Sequence, residues 1–261
     1  MIRRISSHFL TFCIFPHIVF TMKPALHTVL SPALLPLYDL NDSVFVVIDV
    51  FRATSTMATA LYNGAKKVIP VASVQECIEK GKLLDAITAG ERDGKVIEGL
   101  QHGNSPAEYS RNFIQGKVLV ITTTNGTKML NMAVEKCAED IITGSFPNFS
   151  AVCDYLVSSK KKVVLGCSGW KDKFNLEDTL FAGAVIKAIG NHFTIHCDSS
   201  LMASEMFGIH EQDMYGFIRK TTHWHRLAAY GLEKDLEYCV TKDVANTLPI
   251  YKNGELIIAT K

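Results

Sequence analysis

Val44-Phe45-Val46-Val47-Ile48-Asp49-Val50-Phe51-Arg52-Ala53-Thr54-Ser55-Thr56 is the stretch on which the reading of the chain turns. Its run of β-branched and aromatic residues over 44–50 reads as a strand buried on both faces, the kind found inside parallel sheets. A polar turn follows, then helical spacing over 53–63 that stops at Gly64. Working outward, similar strands are predicted at 67–71, 117–122, 140–143 and 162–167, each bounded by Gly, Asn or Ser. Helical spacing falls between them at 74–80, with resumption beyond Gly81, at 128–137 and at 151–158. Strands alternating with helices predict an α/β fold: three layers, α/β/α, around a mainly parallel sheet.

The pattern repeats within the chain. Val47-Ile48-Asp49 and Val120-Ile121-Thr122 both close a strand, enter a Thr-rich turn and open a helix. Each then passes an alanine, Ala65 or Ala138, into a short strand, so two similar tandem strand-helix units are expected. A third unit runs from Val163-Val164-Leu165-Gly166-Cys167 through a loop at 168–175 into a helix at 176–189. Later residues give a strand-like 193–197 and helical stretches at 200–207, 213–219 and 223–230. No composition break marks a linker, so residues 22–261 read as one compact domain or two closely fused ones. Residues 1–21 stand apart: Arg3 and Arg4 precede an apolar run over 9–20 that is too short to span a bilayer and lacks a small-x-small cleavage site. They read as a leader or a mis-assigned start, with Met22 the first residue of the fold.

With 261 residues, 48% of them hydrophobic, the chain can bury a large core, which excludes a disordered tail or a disulfide miniature. Lys plus Arg at 27 against Asp plus Glu at 26 leave a charge of +1 without long runs of either sign. That is no footprint for nucleic acid or for a membrane surface. Seven scattered cysteines, odd in number and without a CxxC pair, read as reduced thiols of a cytoplasmic protein. The sequence leaves room for a homo-oligomer without specifying one.

In parallel α/β sheets ligands bind beyond the carboxyl ends of the strands. Three long strands here end in polar sequence: Asp49 onward, Thr122-Thr123-Thr124-Asn125-Gly126-Thr127, and Cys167-Ser168-Gly169. A helix starting directly after such a loop aims unpaired N–H groups and its positive dipole end at the same place, which suits an anion such as phosphate. Thr123, Thr124, Asn125 and Thr127 add hydroxyl and amide donors, and Gly126 allows a close approach that a Cβ would forbid. Taken singly, each would merely cap a helix. Asp49 is placed to bind Mg²⁺ or attack a phosphorus, and Arg52 to clamp phosphate oxygens, the plainer alternative being an Asp turn with an Arg ion pair.

Glu91 beside Arg92 offers a second metal carboxylate and a second cation, or only a surface pair. Gly103-Asn104 suits a turn, and Ser105-Pro106 starts a helix, so Asn104 reads as structural on those grounds. Asn175 and Asp178 are spaced as a capping pair, which leaves Glu177 to ligate an ion or accept a proton. Cys167, at a strand end beside a helix start, is a candidate nucleophile. Several signatures are missing: the sixth residue after Cys167 is Lys173 rather than Arg, Phe51 breaks an Asp-x-Asp pair at Asp49, and no GxGxxG follows that strand.

The ordered set Ile48-Asp49-Val50-Phe51-Arg52-Ala53-Thr54, Gly90-Glu91-Arg92, Gly103-Asn104-Ser105-Pro106, Thr122-Thr123-Thr124-Asn125-Gly126-Thr127 and Phe174-Asn175-Leu176-Glu177-Asp178 resembles the 2-phosphosulfolactate phosphatase family, from about Leu30 to about Pro249. The resemblance implies a Mg²⁺-dependent phosphatase of α/β architecture that hydrolyses 2-phospho-3-sulfolactate to 3-sulfolactate and phosphate, a step of coenzyme M biosynthesis in methanogens. The family's polar signature matches at Asp49, Arg52, Glu91, Arg92, Asn104, Thr123, Thr124, Asn125, Gly126, Cys167, Glu177 and Asp178. This raises Asn104 and Asp178 above structural roles. His223 keeps its place in a His-Gly-Arg segment of the family, but Trp224 and His225 replace its Gly and Arg.

The expected site therefore holds Mg²⁺ on Asp49 with one or more of Glu91, Glu177 and Asp178. Arg52, the 123–127 loop and His223 would grip the substrate, a small phosphorylated and sulfonated acid, with Arg92 and Arg226 as further cations. Metal-activated water is the preferred nucleophile, ahead of Asp49 and then Cys167. The rivals are a phosphatase for another small phosphorylated acid and a binding protein that keeps the anion pocket without turnover.

Overall fold

The computed structural model describes residues 23–92, 94–195 and 197–259. In chain order the strands are β1 (Ala25–Val29), β2 (Ser43–Ile48), β3 (Lys67–Pro70), β4 (Ile87–Arg92), β5 (Lys95–Val96), β6 (Val118–Thr122), β7 (Asp140–Gly144), β8 (Lys162–Cys167), β9 (Thr194–Ile195), β10 (Pro249–Lys252) and β11 (Glu255–Ile258). The α-helices are α1 (Ala53–Tyr62), α2 (Val74–Leu84), α3 (Arg111–Ile114), α4 (Gly126–Glu135), α5 (Phe149–Ser159), α6 (Leu176–Ile189), α7 (Asp198–His210), α8 (Met214–Ile218), α9 (Thr222–Ala228) and α10 (Glu233–Cys239). The leader reading of residues 1–21 lies outside the described residues. No helix among the described residues is long and apolar enough to cross a membrane.

All the strands form one mixed sheet in the order β5-β4-β6-β3-β11-β10-β7-β2-β8-β1-β9. Two parallel blocks, β4-β6-β3 and β7-β2-β8-β1-β9, are joined by the antiparallel hairpin β10–β11. The tandem units expected from sequence are present, and they exchange strands. β2-α1-β3-α2-β4 and β6-α4-β7-α5-β8 have the same order, with α1 and α4 each ten residues long. β2 lies between β7 and β8 of the second unit, and β6 between β3 and β4 of the first. This reciprocal pairing makes each block depend on the other unit and brings the starts of α1 and α4 together.

Alternation along β2 explains how the sheet is covered on both faces. Val44, Val46 and Ile48 join a core cluster with Val152 and Leu156 of α5 and Leu180 and Val185 of α6. Phe45 and Val47 join another with Met57 and Leu61 of α1 and Met129 and Leu130 of α4, shared with Leu119 and Ile121 of β6. Each such fully buried apolar side chain stabilises the fold by roughly 1.5–3 kcal/mol relative to exposure. Phe45 is accommodated because its neighbour strand carries Gly166, where a Cβ would sit 2.2 Å from the Phe45 ring.

Candidate active site

Asp49 follows the last residue of β2 and is buried. Its backbone is held by Thr54: Thr54 Oγ1 donates to the Asp49 carbonyl at 2.8 Å, and the Asp49 N–H donates to Thr54 Oγ1 at 3.1 Å. The Ala53 N–H, at the start of α1, reaches Asp49 Oδ1 at 3.4 Å. Gly126, the first residue of α4, abuts the same carboxylate. A Cβ on Gly126 would lie 2.9 Å from Asp49 Oδ2 and 2.8 Å from the Ala53 Cβ, so glycine is what lets two helix starts meet there. Burial, then the negative charge of Glu91, pushes the Asp49 carboxyl from its ordinary 3.8 up to about 7, against the opposing pull of His223.

One cavity is walled by Asp49, Arg52, Glu91, Asn104, Thr124, Asn125 and His223, all singled out from sequence, together with Phe51, Gly94, Trp170, Arg226 and Leu227. Glu91 ties two loops to it, Oε1 accepting from the Thr124 N–H at 3.2 Å and Oε2 from the Gly94 N–H at 3.0 Å. Arg52 is buried, and its Nη1 donates to Asp235 Oδ2 at 2.5 Å while Ser105 Oγ donates to Asp235 Oδ1 at 2.8 Å. Arg52 is thus both a cavity wall and half of a buried ion pair. Arg226 lies over the Trp170 ring, 3.8 Å from its centre, a cation–π contact that fixes a second guanidinium at the cavity. His225 is not among the lining residues, so at this wall the cation is Arg226.

Other expected residues sit elsewhere. Arg92 turns away: Nη1 donates to its neighbour's carbonyl, Glu91 O, and Nη2 to Thr122 Oγ1. Thr123 and Thr127 satisfy each other, the Thr127 N–H donating to Thr123 Oγ1 and Thr127 Oγ1 to the Thr123 carbonyl, as a helix-start pair. The capping pair at α6 does not form, because Asn175 makes no side-chain cap bond and turns to His223. Asp178 instead accepts from the Val50 N–H at 2.9 Å and the Gly169 N–H at 3.0 Å, stitching the turns after β2 and β8 together. Burial and the adjacent Glu177 push its carboxyl well above the carboxylate range. Glu177 is fully buried and pairs with His223, Nδ1 to Oε1 at 2.6 Å.

Cys167 is fully buried in the core and does not line the cavity. Burial, with Asp178 beside it, pushes its thiol well above the ordinary value, the reverse of an activated thiolate. Its candidacy as nucleophile fails on both counts. Cys167→Ala is expected to keep specific activity within about threefold of the parent while losing about 1–2 kcal/mol of stability to the small cavity. Parallel activity and thermal-melt measurements check this, and a folded but inactive variant would reinstate the thiol.

Among the described residues no three His, Cys, Asp or Glu side chains gather into a metal cage. Mg²⁺ does not require one, since it commonly uses one or two carboxylates and fills its octahedron with water and phosphate oxygens. Asp49 and Glu91 bring two carboxylates to one cavity. Buried Asn104 Oδ1 and Thr124 Oγ1, on the same walls, find no hydrogen-bond partner among the described residues. This all-oxygen donor set, short of partners, fits a hard cation. Glu177 and Asp178 fit less well because neither lines this cavity: Asp178 gives its oxygens to two backbone N–H groups, and Glu177 gives Oε1 to His223, leaving only Oε2 without a partner among the described residues.

Sequence comparison identifies the family. A family model described as 2-phosphosulpholactate phosphatase matches residues 29–254. A protein of Caldanaerobacter subterraneus named probable 2-phosphosulfolactate phosphatase is 40% identical over 220 residues, covering 83% of this chain and 90% of its own. A protein of the same name from Thermotoga petrophila is 42% identical over 213 residues, covering 82% and 91%, and one from Clostridium acetobutylicum 38% identical over 221 residues, covering 83% and 93%. The match takes in every strand that brings a residue to the cavity, and the chain belongs to the 2-phosphosulfolactate phosphatase family.

Proposed function

We propose that the chain hydrolyses 2-phospho-3-sulfolactate to 3-sulfolactate and phosphate, with Mg²⁺ as cofactor, in the cavity around Asp49. The observation that carries this reading is the meeting of two carboxylates, Asp49 and Glu91, with two guanidiniums, Arg52 and Arg226, in one cavity at the ends of parallel strands. Asp49 and Glu91 would hold the ion, with Asn104 Oδ1 and Thr124 Oγ1 as further oxygens. Bound there, Mg²⁺ supplies neutralisation of phosphate charge, which a loose phosphoryl-transfer transition state requires.

The chain's own groups do the rest. The abutting starts of α1 and α4 set the positive ends of two helix dipoles beside the cavity, and Asn125 adds its side-chain amide. Arg52, held in place by Asp235, faces the phosphoryl oxygens. Arg226, flattened on Trp170, is the cation for the carboxylate or sulfonate at the far end of the substrate. Phe51, Leu227 and Trp170 add apolar surface to the cavity wall, which lowers the local dielectric and strengthens these charge interactions. Free cysteines throughout the described residues suit a cytoplasmic setting.

Protein beginning at Met22 should be assayed for phosphate release from 2-phospho-3-sulfolactate, 2-phospholactate and 3-phosphoglycerate. The sulfonated ester is expected to be preferred by kcat/KM, and Arg226→Met to erase most of that preference, about tenfold or more. Equal use of all three esters by the parent would leave a phosphatase of broader substrate choice. Binding of phosphate without release from any of them would favour a binding protein.

A further inference from the structure

His223 occupies an unusual position between two openings. Its ring lines the Asp49 cavity, where it meets the edge of Phe51 at 5.8 Å between centres. Its Nδ1 is taken up on the other side, 2.6 Å from Glu177 Oε1 and 3.0 Å from the Asn175 side-chain amide. Glu177 and Asn175 line a second cleft behind the ring, together with Phe174, Phe217 and Lys220. A carboxylate against Nδ1 holds that nitrogen as N–H, so the nitrogen turned to the cavity is Nε2. Glu177 is fully buried, and its Oε2 finds no partner among the described residues. The buried positions of α6 are apolar from Leu180 onward, so Glu177 belongs to a polar first turn with Asp178 and Thr179 at the end nearest the cavity.

From this geometry we propose that His223 delivers a proton from Nε2 to the departing ester oxygen and that Glu177 is the positioning residue that orients it. The inference rests on the phosphatase reading above and adds a leaving-group role to that site. In the step, the bond between phosphorus and the substrate's alkyl oxygen breaks with its electron pair on that oxygen, which takes the Nε2 proton to become the alcohol. A water oxygen forms the new bond to phosphorus and gives one proton to solvent. The step begins with a proton on both ring nitrogens and leaves the ring with the Nδ1 proton alone; Nε2 regains its proton from solvent through the cavity once the alcohol has departed. An alkoxide is a poor leaving group, so protonating it in the transition state is worth about 10²–10⁴ in rate.

Leaving-group dependence separates this role from a merely structural one. His223→Asn keeps a donor toward Glu177 and removes Nε2, whereas Glu177→Gln keeps shape and removes charge. Each is compared with the parent on 2-phospho-3-sulfolactate, which leaves as an alcohol, and on 4-nitrophenyl phosphate, whose phenolate departs without a proton. On the alkyl ester kcat/KM is expected to fall about 10²–10³-fold for His223→Asn and about tenfold or more for Glu177→Gln. On the aryl ester both variants are expected to stay within about fivefold of the parent, which also reports that they are folded. Equal losses on the two esters, from variants with the parent's circular dichroism, would overturn the proton-delivery role and leave the phosphatase reading standing. Hydrolysis of neither ester by the parent would overturn both.

Discussion

Asp49→Asn is expected to abolish turnover and, with metal chelated, to make the protein more stable above pH 7. The two effects share one cause. Asp49 is buried at the point where α1 and α4 begin, and burial with Glu91 nearby raises its carboxyl from 3.8 to about 7. The folded chain therefore holds a proton between those values that the unfolded chain has released. Stability is highest below the ordinary carboxylate range and falls as pH rises toward 7, where the fold must carry a buried charge beside a second carboxylate. At about 1.4 kcal/mol per unit over the rise from 3.8 to about 7, the cost at pH 8 is of the order of 4 kcal/mol. Asparagine removes it, so the melting temperature of the variant in chelator should exceed the parent's at pH 8 and match it near pH 4. Turnover should fall by about 10³-fold or more, because in the proposed mechanism the same carboxylate would hold the cation that neutralises phosphate charge. Unchanged stability at pH 8 would mean that the carboxylate is solvated or paired in the folded protein.

The largest loss of stability should come from Asp235→Ala. Asp235 and Arg52 are buried together, and the carboxylate's second oxygen is already taken by Ser105. Removing it strands a guanidinium in the protein interior, which typically costs about 3–5 kcal/mol. For a chain of this size that lowers the melting temperature by roughly 6–15 °C. Asp235→Asn retains acceptor capacity toward Arg52 and should lose about half as much. Both variants should also raise KM, because Arg52 is no longer held against the cavity, and urea unfolding beside steady-state kinetics measures the two effects. A loss under about 1 kcal/mol in Asp235→Ala would show that Arg52 relaxes into water, and would remove the positioning role given to the pair.

The parts of this architecture that the sequence made legible are those where burial is repeated along one element. Lys162–Cys167 and Leu176–Ile189 form over the residues that their apolar runs predict. The strand read at 44–50 ends at Ile48, because Asp49 and Val50 give their backbones to Thr54 and Asp178 rather than to the sheet. Gly126 begins α4 two residues before the predicted 128, since the close contact with Asp49 puts a residue of low helix propensity at the first turn. β4 carries Glu91 to the site and gave no strand signal, because it is short of large apolar residues and Gly90 packs against β6 where a side chain cannot. A Cβ on Gly90 would lie 2.7 Å from the Thr122 carbonyl oxygen.

The hairpin β10–β11 that joins the two parallel blocks was also missed, its four-residue strands being too short to show alternation. Within the site, Asp49, Glu91 and Thr124 could be picked out because polar residues at strand ends and helix starts are few, whereas Asn104 and His223 stand out only through the family resemblance. Asp235 could not. It comes from α10, seven residues long in a stretch without clear periodicity, and its pairing with Arg52 spans most of the chain. Trp170 lies in the loop after β8 that the sequence marked as polar, and only the structure shows Arg226 brought onto its face.

The central claim is that Asp49 and a divalent cation act together on a phosphate ester in this cavity. Its most direct test is the initial rate of phosphate release from 2-phospho-3-sulfolactate by the parent and by Asp49→Asn, each with Mg²⁺ and with chelator. Rapid release by the parent with Mg²⁺, with the other three combinations near background, is the predicted result. Release that survives chelation, or full Mg²⁺-dependent release by Asp49→Asn, would contradict it.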